Sequence, residues 1–68
     1  MKKSAVWVVI QMVHGEEKAR EVCDRLTGEG FMIRTRPASG EADEQVYEVL
    51  ALSSEAREAR EALLEWGL

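Results

Sequence analysis

The sequence predicts a single α+β domain over residues 1–68, and three observations predict it. Two valine-rich apolar runs, AVWVVIQMV and QVYEVLAL, have the composition of buried strands. Two charged stretches, one after each run, place apolar residues at helical spacing. Between them FMIRTR alternates apolar and polar, the mark of a half-exposed strand.

The elements follow in order. Ala5–Val13 is apolar at nearly every position and predicts a first strand buried on both faces. From Glu16 the period changes: Ala19, Val22, Cys23 and Leu26 form one helical stripe, with Lys18, Arg20, Glu21, Asp24 and Arg25 opposite. Glu16 and Glu17 suit the positive end of the helix dipole, and Glu16/Arg20 and Glu21/Arg25 are i, i+4 pairs in the favourable order. Thr27-Gly28-Glu29-Gly30 predicts the helix end, where glycine accepts a left-handed conformation. Phe31–Arg36 is the second strand, with Phe31, Ile33 and Thr35 on one face and Met32, Arg34 and Arg36 on the other, stopped by Pro37. Pro37–Glu44 reads as a hairpin loop. Gln45–Leu52 is the third strand, in which Glu48 can pair with Arg34 or Arg36. Ser53 or Ser54 then caps a second helix carrying Ala56, Ala59, Leu63 and Trp66 on its apolar stripe, with Ala62 beside it.

A strand, helix, strand, strand, helix order has a preferred topology. A right-handed crossover sets the first two strands parallel with a gap, and the hairpin drops the third into it antiparallel. The expectation is a ferredoxin-like βαββα fold lacking its fourth strand, with a three-stranded sheet of order 1-3-2 and both helices on one face. The first strand then lies on an open edge, and the other sheet face has no cover.

Sliding the chain forty positions along itself aligns the two strand-helix halves: Trp7 meets Tyr47, Val9 meets Val49, Ile10 meets Leu50, and Ala19-Arg20-Glu21 meets Ala59-Arg60-Glu61. Two explanations stand, a unit written twice or the default fillers of solvated helix faces. The correspondence would bring Trp7 and Tyr47 to one face, as a binding platform if it is the bare one and as core if the helices cover it.

Composition narrows the function. A domain this small buries only about 60% of its unfolded surface, so its core is thin. One cysteine, Cys23, and one histidine, His14, supply neither an intrachain disulfide nor a zinc site. A net charge of −4 is the reverse of the basic footprint of a nucleic-acid binder. Met1-Lys2-Lys3 before Ala5–Ile10 resembles the start of a signal peptide, but Gln11 interrupts the run and no small-residue cleavage site follows. With no run approaching the ~20 apolar residues of a membrane span, the expectation is a cytoplasmic chain without a membrane partner.

An unblunted apolar edge strand is an aggregation hazard unless paired. The expected partner is a second copy, through the edge or the bare sheet face, burying some of Val6, Trp7, Val8, Val9 and Ile10; the alternative is that terminal residues cover the edge. Arg34 and Arg36, the basic pair on a sheet face, are with Met32 candidates for a small anionic ligand or an acidic protein segment; cross-strand pairing with Glu48 is the competing role, and Tyr47 is a further candidate contact. His14 is at a helix N-terminus where an anion could sit, although Glu16 and Glu17 oppose one. Cys23, on the helix stripe, is expected to be a buried small hydrophobe. No nucleophile-base pair, metal set or phosphate loop is legible, so no catalytic residue and no cofactor is expected.

The valine-rich strand, the helix with Ala19, Val22 and Leu26, Gly30-Phe31 leading to Arg36-Pro37, and VYEVLAL before a closing helix together resemble a family of small stand-alone βαββα proteins of Gram-positive bacteria. That family is assigned to signal transduction, and some members carry a glutamate decarboxylase label. The resemblance covers nearly the whole chain and implies a regulatory module. A pyridoxal-phosphate decarboxylase requires a Schiff-base lysine in an enclosed site, and the lysines here are Lys2, Lys3 and Lys18, at the tail and on a helix surface. In element order and half-to-half similarity, and in Ile10-Gln11-Met12, the chain is also similar to the sporulation-related repeat, which implies peptidoglycan binding as an alternative function.

Overall fold

The structure, a computed structural model, describes residues 6–39 and 45–68. Five elements follow in the expected order: β1 (Trp7–His14), α1 (Glu16–Gly28), β2 (Ile33–Ser39), β3 (Val46–Leu52) and α2 (Ala56–Trp66). The strands form one antiparallel sheet of order β1-β3-β2. Lys2 and Lys3, and residues 40–44 of the hairpin loop, lie outside the described residues.

Both helices cover one face. Val49 and Ala51, two apart on β3, share a core with Ala19, Val22 and Leu26 of α1 and with Ala56, Ala59 and Leu63 of α2. Period-2 alternation puts these β3 residues on the helix side and leaves Val46, Glu48, Leu50 and Leu52 on the other. Small alanines at the helix contacts let the helices lie close to the sheet, and Val22, Leu26, Val49, Ala51 and Ala59 have no exposed surface.

β1 differs from expectation. It is not buried on both faces: Met12 is exposed, and Trp7 and Val9 are half-buried. Between Val9 and Gln11 the register with β3 slips, so that Val9 opposes Leu50 and Gln11 opposes Val49. Ile10 is the extra residue of a β-bulge, which resets the alternation. Strict alternation could not put both Ile10 and Val13 into the core; the bulge does, with Val8 packed beside them.

The strand and helix ends also moved. β2 begins at Ile33 because the preceding amides are taken elsewhere: Phe31 N–H donates to the Leu26 carbonyl and Met32 N–H to Glu55 Oε1 at 3.0 Å. Pro37 does not stop β2, which continues to Ser39 with Pro37 opposite Tyr47. Because β2 is a sheet edge, a residue without N–H is tolerated there, and the register slips just after it. Neither serine caps α2. Ser53–Glu55 forms a turn, Glu55 N–H donates to the Leu52 carbonyl, and Glu55 itself is the N-cap. The α1 C-cap is Glu29 in right-handed conformation, and the glycine with positive φ is Gly30, one residue further on. At the end of α2, Gly67 is the left-handed cap (φ 76°) and turns Leu68 back onto the core.

Leu26→Ala removes a fully buried side chain and is expected to cost about 2–5 kcal/mol in denaturant unfolding. Leu64→Ala, at a residue 80% exposed, should stay within about 0.5 kcal/mol of wild type.

Candidate functional site

The sheet face away from the helices is the site that the fold leaves open. By alternation and the bulge it carries Trp7, Val9, Met12 and His14 from β1, Val46, Glu48, Leu50 and Leu52 from β3, and Arg34 and Arg36 from β2. Leu50 is its centre. It opposes Val9 on one side and Arg34 on the other, and is only 5% exposed although no helix covers it. The cover comes from two side chains: the Arg34 guanidinium reaches across the sheet to within 4.7 Å of the Trp7 ring centroid. A cation over an indole face is attracted by the ring quadrupole, and an arginine stem can lie along apolar surface beneath it. Trp7 and Arg34 therefore form a lid over Leu50, with a shallow hollow of about 170 Å³ bounded by Trp7, Arg34, Thr35, Arg36 and Leu50.

One row along, Arg36 Nε donates to Glu48 Oε1. Glu48 thus pairs with Arg36, its register partner, and Arg34 is engaged by the indole instead. The two arginines expected as a ligand-binding pair do lie side by side on one face, each already holding an intramolecular contact.

Tyr47 is elsewhere. It opposes Val13 and Pro37 on β3 and packs against the helix-side core, while Trp7 opposes Leu52 on the open face. The expectation that the two aromatics share a face is corrected, and the bulge gives the reason. Before Ile10 the forty-residue shift pairs residues of opposite faces, Val9 with Val49 and Ile10 with Leu50; after it, Met12 and Leu52 are in phase. His14 is exposed at the end of β1, next to Gly15, whose N–H donates to the Gln45 carbonyl.

Of the residues expected at a dimer contact, Trp7 and Val9 lie on the open face, Val8 and Ile10 point to the helices, and Val6 is exposed. The β1 edge is less bare than the sequence implies. Arg60, from the third Ala-Arg-Glu tripeptide, points its guanidinium at the Val9 carbonyl, 3.4 Å away, beside the bulge. Ile10, Gln11, Arg60, Leu63, Leu64 and Leu68 line a groove there.

Cys23 is half-buried rather than enclosed, with Sγ 3.9 Å from Thr27 Oγ1. It lines a cleft of about 210 Å³ with Glu16, Ala19, Arg20, Asp24, Thr35 and Tyr47. Ala19 and Thr35 are too small to close the gap between α1 and the sheet, which is why a stripe position is partly wet. On the same helix Glu16 pairs with Arg20 at 3.6 Å and Lys18 with Glu21 at 3.9 Å, whereas Arg25 lies 4.6 Å from the Trp66 centroid. Among the described residues, no three of His, Cys, Asp and Glu are grouped so as to hold a metal ion, and no helix is long and apolar enough to cross a membrane.

Compared with protein-family models, curated proteins and solved structures, the chain matches none.

Arg34→Ala opens the lid over Leu50 and is expected to lower stability by about 0.5–1 kcal/mol, with a change in tryptophan emission as Trp7 is released. Arg36→Ala and Glu48→Ala in a double-mutant cycle should show a coupling of about 1 kcal/mol or less, because Arg36 is 63% exposed. Cys23 in the folded protein is expected to label with a maleimide at a rate below that of the denatured chain but above that of a closed core thiol.

Proposed function

We propose that the chain is a non-enzymatic regulatory binding module that works as a homodimer in the cytoplasm, with the open sheet face as its contact surface. The observation that carries this reading is the composition of that face. Around the covered Leu50, the half-buried Trp7, Val9, Val46 and Leu52 and the exposed Met12 form a continuous apolar tract on the sheet side away from the helices. A contiguous, partly exposed apolar patch on a small domain marks an interaction site, and a core this thin gains from association. Arg34 and Arg36 at the β2 rim give the surface a cationic border suited to a small anionic ligand or an acidic partner segment.

A non-enzymatic role is supported by the placement of the titratable groups. General acid-base and nucleophilic catalysis use groups held in an enclosed, desolvated site. Here Asp24, His14 and Glu16 are exposed, Cys23 is half-wet, and Lys18 is on the α1 surface, ion-paired with Glu21. The purified protein is expected to show neither pyridoxal-phosphate absorbance nor glutamate decarboxylase activity. It is also expected not to sediment with peptidoglycan stripped of its stem peptides; retention there would assign the face to glycan instead.

The main test is native mass. Sedimentation should give a dimer for wild type and a monomer for Val9→Lys at the same concentration, because an ammonium in an apolar contact is poorly solvated. Far-UV circular dichroism of the variant should be unchanged. A wild type that stays monomeric up to several hundred micromolar removes the reading.

A further inference from the structure

Two routes to a dimer remain: joining the β1 edges into one six-stranded sheet, or stacking the open faces. We propose that two copies stack face to face, with the two-fold axis running along the central strand β3. The proposal rests on the homodimer reading above and specifies its geometry.

The edge route is obstructed by the fold. Strand addition needs a regular row of free backbone groups. β1 carries its bulge at Ile10, in the middle of the strand, and the Arg60 guanidinium reaches the Val9 carbonyl next to it. A bulge and a positive side chain at the edge are both devices that discourage pairing.

The face route is favoured by charge. Outside the open face, the described residues include nine acidic and five basic side chains, a net of −4. The face holds Arg34, Arg36 and Glu48, a net of +1. Contact through the helices, which carry seven acidic and five basic side chains, would bring two net-acidic layers together. Contact through the open faces puts two sheets, packed about 10 Å apart, between those layers, beyond a Debye length of ~8 Å at physiological salt.

Charge also chooses the axis. The cations lie on β2, at one side of the face, and the apolar residues Trp7, Val9 and Met12 lie on β1, at the other. A two-fold axis across the strands would set arginine row on arginine row. An axis along β3 sets β2 of one copy over β1 of the other, so that Arg36 lies over Met12 of the second copy. Both Glu48 carboxylates then meet at the centre, each between two Arg36 guanidiniums, and the four charges cancel. The intramolecular Arg36–Glu48 pair becomes half of a shared network.

The area sets the strength. Three strands of about seven residues cover a footprint of roughly 14 by 23 Å, so two such faces bury on the order of 1,000 Å² of accessible surface in total. That is the low end for a specific interface, and the dimer should be reversible, with dissociation in the micromolar range.

The test uses single cysteines in a Cys23→Ser background with a short bis-maleimide. In a stacked dimer Leu52 of β3 lies over its counterpart, whereas in an edge dimer the two β3 strands are three strand spacings apart, roughly 14 Å. Gln11, at the middle of β1, gives the reverse pattern. We expect Leu52→Cys to be cross-linked to dimer at least tenfold more than Gln11→Cys; Glu48→Cys, on the same face of β3, is the second probe if Leu52→Cys fails to fold. Linkage through Gln11→Cys, or a wild-type dimer linked at no β3 position, overturns the stacked geometry and leaves the homodimer intact. A monomeric wild type overturns both.

Discussion

The structure depends on β3 being paired on both sides while burying side chains on both faces. Its odd residues, Val49 and Ala51, form the floor on which both helices rest. Its even residue Leu50 is nearly as buried, although the face it occupies has no second layer of secondary structure among the described residues. A central strand flanked by two hydrogen-bonded neighbours satisfies its backbone without water, so its side chains are free to be apolar in both directions. The neighbouring strands are arranged around that fact. β1 bulges to keep Ile10 and Val13 over the helix side, and β2 contributes Arg34 to close over Leu50.

The two faces of the sheet solve the burial problem differently. On the helix side, Ala51 and Ala59 with Val22, Leu26 and Leu63 form a core from which water is almost completely excluded, bordered by the cleft at Cys23. On the open side an indole and a guanidinium do the covering, and Met12 remains 52% exposed. A lid made of one cation-π contact is worth about 0.5–1 kcal/mol at an exposed site, far less than a helix layer supplies. The asymmetry leaves the open face with a thinner cover than the helix side.

Most of the fold was legible because it follows from periodicity. The alternation of Phe31, Ile33 and Thr35 against Met32, Arg34 and Arg36, the helical stripe from Ala19 to Leu26, and the element order were enough to obtain the 1-3-2 sheet with its helices on one side. The element ends were less legible, since Met32 and Ser53 have backbone bonds decided by groups distant in sequence, Glu55 and Val6. In the site, the pairing of Arg36 with Glu48 was open to sequence reasoning through strand register. The engagement of Arg34 with Trp7 was not, because twenty-seven positions and a whole strand separate the two residues.

The sequence by itself determined which segments are strands and helices, and that one sheet face must stay bare, because apolar spacing and the number of available elements require it. Tertiary structure alone decided which side each residue of β1 faces. A single extra residue at Ile10 reverses the alternation, and nothing in AVWVVIQMV, apolar almost throughout, indicates where the slip falls. That slip separates Trp7 from Tyr47, sends Gln11 toward α2, and brings the first half of the strand into the right phase for both core and open face. It arises because two buried residues three apart, Ile10 and Val13, must both reach the helices, which an unbroken strand cannot arrange.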